Sequence, residues 1–270
     1  MTSSAAPGDK RLERGNAKRQ AILQRAVDLA SVEGLETLSI GRLATELGIS
    51  KSGAILHFGT KQELQLATIA AARERFAGHV VEPARSSPPG LARLWALTLN
   101  WIAYVENRVF PGGCFFSTVA AEFHSRPGPV RDAIAATHAD WVLLLHHHIA
   151  RAIVDGQIDA DTDPNQIVYE LDAVTRHAHV MHRLHEDPEA CDRSRVAARA
   201  ILDRAATAET GELLALPLPE RTRSVTATTD AHITRIGTHA DPDSHVVISL
   251  RGAKPPRGPN PPTTDLEQAT

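Results

Sequence analysis

Hydroxyl and basic side chains recur at the starts of predicted helices between Ser39 and Lys61. Ser50, Lys51, Ser52 and Gly53 stand together, and their small size lets the backbone approach another molecule closely. Helix N-termini bind phosphate oxygens because they carry free N–H groups and partial positive charge. We therefore expect nucleic-acid contacts from Ser39, Ser50, Lys51, Ser52, Gly53, His57 and Lys61, although the serines would serve equally as plain helix caps.

Short helices must position these groups. Apolar residues recur at helical spacing in residues 17–32, and Gly34 is placed to end that helix. Ser39, Ser50 and Thr60 are predicted N-caps of three further helices, and Gly48 supplies the turn between the first two. The pattern predicts a helix-turn-helix unit, which presents the start of its second helix to the DNA major groove. A preceding basic arm adds phosphate contacts, from Lys10, Arg11, Arg14, Lys18 and Arg19.

The second group of candidate residues suits an apolar ligand pocket. A ligand site needs apolar walls with a few polar groups, and an ordinary packed core uses the same residue types. Cys114 follows two glycines at a predicted helix start, where its thiol would be reactive, but we favour a small core cysteine. The predicted pocket residues are Phe76, Trp95, Leu99, Ile102, Cys114, Phe115, Phe123, His138, Trp141 and Leu145.

Histidines cluster at residues 146–148 and again at His177, His179, His182 and His185. The last three step by three residues along one predicted helix, a spacing that would suit a metal ion or a pH switch. Few carboxylates or cysteines stand at matching helical positions. We therefore favour interface packing and solvent-facing polar roles, and we predict neither a metal nor another cofactor.

The remaining elements are predicted to be helices. A helix at residues 91–107 is apolar nearly all round, as in the middle of a bundle, and long helices follow at 128–156, 163–185 and 188–210. Beyond residue 212, proline and threonine replace the helical pattern, so residues 213–270 are predicted to be disordered. The fold class is all-α, with a flexible arm at 1–15, a DNA-binding domain at 16–76 (helix-turn-helix about 39–58) and a helical bundle at 77–212.

Charge is distributed unevenly along the 270 residues. The net charge of -3 alone argues against nucleic-acid binding, yet residues 1–78 hold 11 basic and 8 acidic side chains. The sequence therefore predicts a basic reading module and an acidic remainder. No segment has the length and hydropathy of a membrane span or a signal peptide, and two distant cysteines favour a reducing, cytoplasmic setting. Nucleophile-elbow, phosphate-loop, dinucleotide and HExxH motifs are absent, which argues against an all-helical enzyme.

The run TLSIGRLATELGISKSGAILHFGTKQEL, residues 37–64, resembles the DNA-binding signature of the TetR/AcrR family of transcriptional repressors. The resemblance is specific for about residues 16–76 and architectural to about residue 210. It implies DNA-contacting roles for Ser39, Ser50, Lys51, Ser52, His57 and Lys61. Ile55 and Leu56 stand where the family usually has a phosphate-binding tyrosine, so we expect the basic arm to supply the missing contact.

The expected function is that of a homodimeric repressor released from a pseudo-palindromic double-stranded DNA operator by a small molecule. The resemblance implies that the ligand lies in the C-terminal bundle and that the last two long helices, about residues 163–210, pair with those of a second subunit. An activator, or a weakly specific DNA-binding protein of the same fold, remains the alternative.

Overall fold

The computed structural model describes residues 7–208 and residue 210, with side chains from residue 15 onward. Within that part of the chain every regular element is helical, as the sequence predicts, and no strand forms. None of these helices is both long enough and apolar enough to cross a bilayer. The elements are α1 Pro7–Glu33, α2 Ile40–Leu47, α3 Lys51–Phe58, α4 Lys61–Phe76, a π-helical turn Ala77–Val81, α5 Glu82–Ala84, α6 Leu91–Glu106, α7 Phe115–Phe123, α8 Pro129–Val154, α9 Pro164–Leu184 and α10 Ala190–Ala205.

The N-terminal unit consists of α1 packed on the short helices α2 and α3. Each predicted N-cap is confirmed: Ser39 accepts a hydrogen bond from the Arg42 amide, and Ser50 accepts one from the Gly53 amide. Thr60 forms a reciprocal capping box with Glu63. Gly48 ends α2 with a left-handed φ of 62°, a conformation that a residue with a Cβ adopts at a cost. These caps fix the sharp turn between α2 and α3.

The first helix begins earlier than the sequence predicts. It starts at Pro7, so residues 7–15, expected to be a flexible arm, continue the helix. Proline is well placed at a first helical position because its missing N–H would have no partner there. The predicted disordered tail at residues 213–270 lies outside the described residues.

The C-terminal helices pack around α6. Its side chains are buried on several faces, including those of Trp95, Trp101 and Ile102, which confirms the prediction of a central helix. Helices α8 and α9 begin and end within two residues of their predicted bounds, whereas α10 ends at Ala205, before the expected residue 210. The α10 terminus is fixed where the Asp159 amide donates to the Ala205 carbonyl at 3.0 Å.

The connection from α4 to the bundle is a continuous helical path. The π-helical turn Ala77–Val81 and the short α5 follow α4 without a break in helical backbone conformation. Pro83 lies in α5 and has no N–H to donate, which accounts for a change in hydrogen-bond pattern one turn earlier. The Asn100 side chain donates to the Val80 carbonyl at 3.0 Å and so ties this turn to α6.

Candidate DNA-binding surface and effector cavity

The exposed face of α3 combines polar and apolar groups. Lys51 and Ser52 are exposed in its first turn, and Gly53 is half-buried beside them. One turn later Ile55 is 42% exposed and Leu56 is 88% exposed. Because residues four apart share a helix face, Lys51 lies beside Ile55 and Ser52 beside Leu56. The sequence identifies Ile55 and Leu56 only as replacements for a tyrosine, so these two residues are not among the predicted contacts.

The other predicted phosphate-binding residues surround α3. Ser39 uses its oxygen to accept from Arg42 at 3.1 Å, which leaves its hydroxyl hydrogen available to donate to a phosphate. Lys61 is exposed at the start of α4, and its ammonium forms an ion pair with Glu36 at 3.0 Å. His57 is half-buried at the end of α3. The Lys61 ammonium gives one of its three N–H groups to Glu36, which leaves two for a phosphate.

Basic residues of α1 reach the same end of the molecule. The Arg19 guanidinium lies over the Phe58 ring, 5.3 Å from its centroid, and so links α1 to the end of α3. Lys18, the residue before Arg19, is exposed. Arg14 lies in the helical part of the arm, ahead of the side chains that the structure describes. Thus Lys18 and Arg19 are held on a rigid helix beside α3.

A cavity of about 560 Å³ lies among α4, α6, α7 and α8, with one residue from α9. This volume is within the usual range for sites that bind drug-sized molecules. The aromatic side chains around it meet edge to face: Phe76 contacts Trp141 with ring centroids 5.3 Å apart, and Trp101 contacts Trp141 at 5.2 Å. The lining residues are Arg73, Phe76, Ala77, Val81, Trp101, Cys114, Phe116, Ala120, Phe123, His124, Arg131, Ile134, Ala135, Thr137, His138, Asp140, Trp141, Leu144 and Arg176.

Half of the predicted pocket residues line this cavity, namely Phe76, Cys114, Phe123, His138 and Trp141. The other five lie outside the lining of this cavity: Trp95, Ile102, Phe115 and Leu145 are fully buried in the core, and Leu99 packs against it.

One physical reason accounts for the different positions of these five residues. Adjacent positions on a helix point about 100° apart, so on a helix that is apolar on most faces the residue type does not identify the face toward the cavity. In two cases the chain neighbour lines the cavity instead: Phe116 replaces Phe115 and Leu144 replaces Leu145. On α6 the lining residue is Trp101.

Charged groups lie along part of the cavity wall. Arg73 and Asp140 form an ion pair at 2.7 Å, with both side chains more than half exposed. Arg176 donates to Asp172, and His138 Nε2 lies 3.5 Å from the same carboxylate. Burial disfavours the charged form of Asp172, but the His138 and Arg176 contacts outweigh it and hold the pKa of this carboxyl below its ordinary value. Asp172 is therefore ionised at neutral pH and orients Arg176.

Cys114 occupies the position just before α7 and is 1% exposed. Its thiol lies among the cavity-lining side chains. The second cysteine, Cys191, is buried in α10, and burial raises the pKa of its thiol to about 11. Cys191 is therefore a protonated core residue at neutral pH, and both thiols are reduced.

Helix α7 joins the cavity to the N-terminal unit. Phe116, Ala120 and Phe123 line the cavity, while the Glu122 carboxylate accepts hydrogen bonds from two backbone amides of the turn before α2. Those donors are the Leu35 and Glu36 N–H groups, each at 2.8 Å. The link was not predicted from the sequence, since its partners are 87 and 86 residues apart.

The loop before α7 makes a second connection to α1. The Gly112 amide donates to the Ser31 hydroxyl at 3.0 Å. A Cβ at Gly112 would overlap the Ser31 carbonyl, so only glycine allows this approach. Further along α1, Arg75 from α4 forms an ion pair with Asp28 at 2.6 Å. Helices α4 and α7 therefore both connect the cavity wall to α1.

The histidine clusters do not form a metal site among the described residues. His179 is 9% exposed and packs beside Gly113, and burial lowers the pKa of its ring. His182 is half-buried, whereas His185 ends α9 and is exposed. The three residues thus occupy different environments, and His179 packs against Gly113 of its own chain. In the other cluster, burial lowers the pKa of His148 to about 4.

The fold and the exposed face of α3 define a helical DNA-binding regulator whose C-terminal bundle holds a cavity. Residues 22–68 match the family of bacterial regulatory proteins named tetR, and residues 90–198 match the Tetracyclin repressor-like C-terminal domain. Together these ranges cover more than half of the chain. The protein belongs to the TetR family of transcriptional regulators and is not an enzyme.

Solved structures of similar fold match 70–76% of this chain. A TetR regulator from Chloroflexus aurantiacus J-10-FL is 20% identical, with a TM-score of 0.64 over 72% of this chain and 98% of its own. A TetR-family regulator from Streptomyces coelicolor is 18% identical, with a TM-score of 0.61 over 76% and 98%. AibR, in complex with isovaleryl coenzyme A and operator DNA, is 19% identical, with a TM-score of 0.55 over 70% and 97%. The search of curated proteins gives no match.

Proposed function

We propose that the protein is a homodimeric repressor that binds a pseudo-palindromic operator and is released from it by a small molecule. The proposal depends mainly on the two contacts of α7. One set of its side chains lines the cavity, and the Glu122 carboxylate binds the turn before α2. AibR, which shares this fold, has been solved in complex with isovaleryl coenzyme A and operator DNA, so the fold accommodates both a small molecule and an operator.

In the proposed complex α3 lies in the major groove. Lys51 and Ser52 contact phosphates or base edges near the start of the helix, and Gly53 allows a close approach. Ile55 and Leu56 have no polar atoms on their side chains, so they suit contact with thymine methyl groups. His57, Lys61, Ser39 and the basic residues of α1 hold the flanking phosphates. We therefore expect an operator with thymine at the positions facing Leu56.

The proposed dimer forms through α9 and α10. Large apolar side chains are exposed on these helices, with Tyr169 at 71% and Leu184 at 73%. Val180 and Val196 are also exposed, and Val180 lies one turn before Leu184. A two-fold axis through this face would bury these side chains and place two α3 helices on successive major-groove faces of DNA.

The experiment is footprinting on the DNA that flanks the gene for this protein, with size-exclusion chromatography and light scattering on the same sample. We expect a protected inverted repeat and the mass of a dimer. Reporter output from that promoter should rise when the gene is deleted, whereas a fall would identify an activator. A shallow protection pattern without sequence preference would identify a non-specific DNA-binding protein instead.

A further inference from the structure

The polar groups of the cavity wall are predominantly donors. Three guanidinium groups and two imidazoles line the cavity, against one carboxylate, Asp140. Arg73 neutralises that carboxylate at the exposed end of the wall, with the two groups 2.7 Å apart. The remaining arginines are Arg131 and Arg176, whose carboxylate partners Asp132 and Asp172 lie outside the lining of the cavity, so donors outnumber acceptors along the wall itself.

Arg176 is the more shielded of the two remaining arginines. Its side chain is 29% exposed, and its guanidinium lies 5.8 Å from the centroid of the Trp101 ring. Asp172 binds the Nε edge, while Nη1 has only a long contact of 3.5 Å with the Ser117 hydroxyl. An arginine held by one edge presents its remaining N–H groups in a planar fork that matches a carboxylate.

The tryptophans of the wall add two more donors. The indole N–H groups of Trp101 and Trp141 are buried and have no hydrogen-bond partner within the described part of the chain. Both residues line the cavity. A buried donor without a partner costs free energy, and a ligand oxygen within reach would remove that cost. The wall therefore favours a ligand that is rich in acceptors.

The apolar part of the wall selects the shape of the ligand. Phe76 lies nearly perpendicular to Trp141 and to Phe116, with interplanar angles of 89° and 88°. Rings arranged in this way present both faces and edges toward the space between them, and an aromatic ligand gains edge-to-face or stacking contact with either.

We propose that the effector is a flat aromatic carboxylate whose rings lie against Phe76, Trp101 and Trp141 and whose carboxylate is bound by Arg176. This inference rests on the proposed effector role of the cavity and specifies its ligand class. A cationic ligand would bring further N–H donors to a wall that already consists mainly of donors, and a neutral ligand would desolvate Arg176 without replacing its water.

The test compares three molecules of the same ring system and different charge: 2-naphthoate, 2-naphthalenemethanol and 2-naphthylmethylammonium. Binding is measured by isothermal titration calorimetry and by quenching of tryptophan fluorescence on the full chain. We expect 2-naphthoate to bind at least about tenfold more tightly than the alcohol, which corresponds to about 1.4 kcal/mol. We expect no binding of the ammonium compound.

Variants assign the effect to Arg176. Arg176→Met should weaken the binding of 2-naphthoate by at least tenfold and change the affinity for the alcohol by less than twofold. Arg176→Lys should lose less affinity for 2-naphthoate than Arg176→Met. If the single variant is unstable, the double variant Arg176→Met, Asp172→Asn removes the carboxylate that would be left unpaired. It should show the same loss of preference for 2-naphthoate. Arg151→Met is the matched control, since Arg151 is an exposed arginine of α8 outside the cavity.

Equal or tighter binding of the alcohol, or no binding of any of the three molecules, would overturn the proposed ligand class. An unchanged preference in both Arg176→Met backgrounds would overturn the role of Arg176. Operator binding is measured separately on the same preparations without ligand. Loss of operator binding there would contradict the proposed function, whereas operator binding with no preference for 2-naphthoate would contradict only the ligand class.

Discussion

Replacing Glu122 by alanine should uncouple the effector cavity from the DNA-binding unit. The Glu122 carboxylate is the acceptor for the Leu35 and Glu36 amides, both at 2.8 Å. Leu35 is fully buried, so water cannot replace both bonds at once. The change therefore removes the polar connection from α7 to the turn before α2 but leaves the cavity-facing side chains of α7 in place.

The expected size of the effect follows from those two bonds. A hydrogen bond to a charged group contributes about 1.5 to 3 kcal/mol, and the lower end applies because Glu122 is half-buried. We expect Glu122→Ala to lower the free energy of unfolding by about 2 to 3 kcal/mol. Glu122→Gln keeps one acceptor oxygen and should lose about half as much. Glu74→Ala removes an exposed glutamate from α4 and should change the free energy by less than about 0.5 kcal/mol.

The assay combines urea unfolding with operator affinity measured with and without 2-naphthoate. We expect Glu122→Ala to bind 2-naphthoate with unchanged affinity but to show a ratio of the two operator affinities close to one. Effector coupling in regulators is typically about 5- to 150-fold, so its loss is easily measured. A free energy of unfolding for Glu122→Ala equal to that of Glu74→Ala would contradict the stabilising role of Glu122. A ratio of operator affinities equal to that of the wild type would contradict coupling through Glu122.

Three further predictions follow from single contacts. Gly112→Ala should lower the free energy of unfolding by more than about 2 kcal/mol in urea, because its Cβ would overlap the Ser31 carbonyl; an unchanged midpoint would contradict this packing. Leu56→Ala should weaken operator binding by about 1 kcal/mol or more in a gel-shift titration without changing the urea midpoint; equal affinity would exclude Leu56 as a contact. Burial lowers the pKa of His148 to about 4, so between pH 6.5 and 4 the unfolded chain binds a proton that the folded chain does not. The free energy of unfolding should therefore decrease as the pH is lowered from 6.5 to 4, by at most about 3 kcal/mol. His148→Gln should reduce this dependence of the free energy on pH.

The N-terminal unit could be predicted because its signals are local. Ser39, Ser50 and Thr60 each cap a helix through a backbone amide three residues away, and Gly48 is the turn residue between α2 and α3. The start of α1 was missed, because basic residues before position 16 were interpreted as an arm although proline at position 7 is compatible with a first helical turn.

The cavity could be predicted only as a kind of site. Residue types identify α6 as buried on most faces, but the choice of Trp101 over Trp95 depends on the rotation of the helix against its neighbours. The charged residues of the cavity wall could not be identified from the sequence either. Arg73 and Arg176 are held at the wall by ion pairs with Asp140 and Asp172. Of these two contacts, the one between Arg73 and Asp140 joins separate helices.

The positions of Glu122 and Phe123 on α7 indicate how an effector bound in the cavity would alter the DNA-binding unit. Phe123 and Glu122 are adjacent on α7, so they point about 100° apart, one toward the cavity and the other toward Leu35. A ligand that moves Phe123 must move Glu122, since a short helix is stiff over two residues. Leu35 lies four residues before Ser39, the N-cap of α2. A movement of Glu122 would therefore displace the backbone close to the start of α2. We expect a ligand that binds one position of α7 more tightly than another to change operator affinity by at most that difference in free energy.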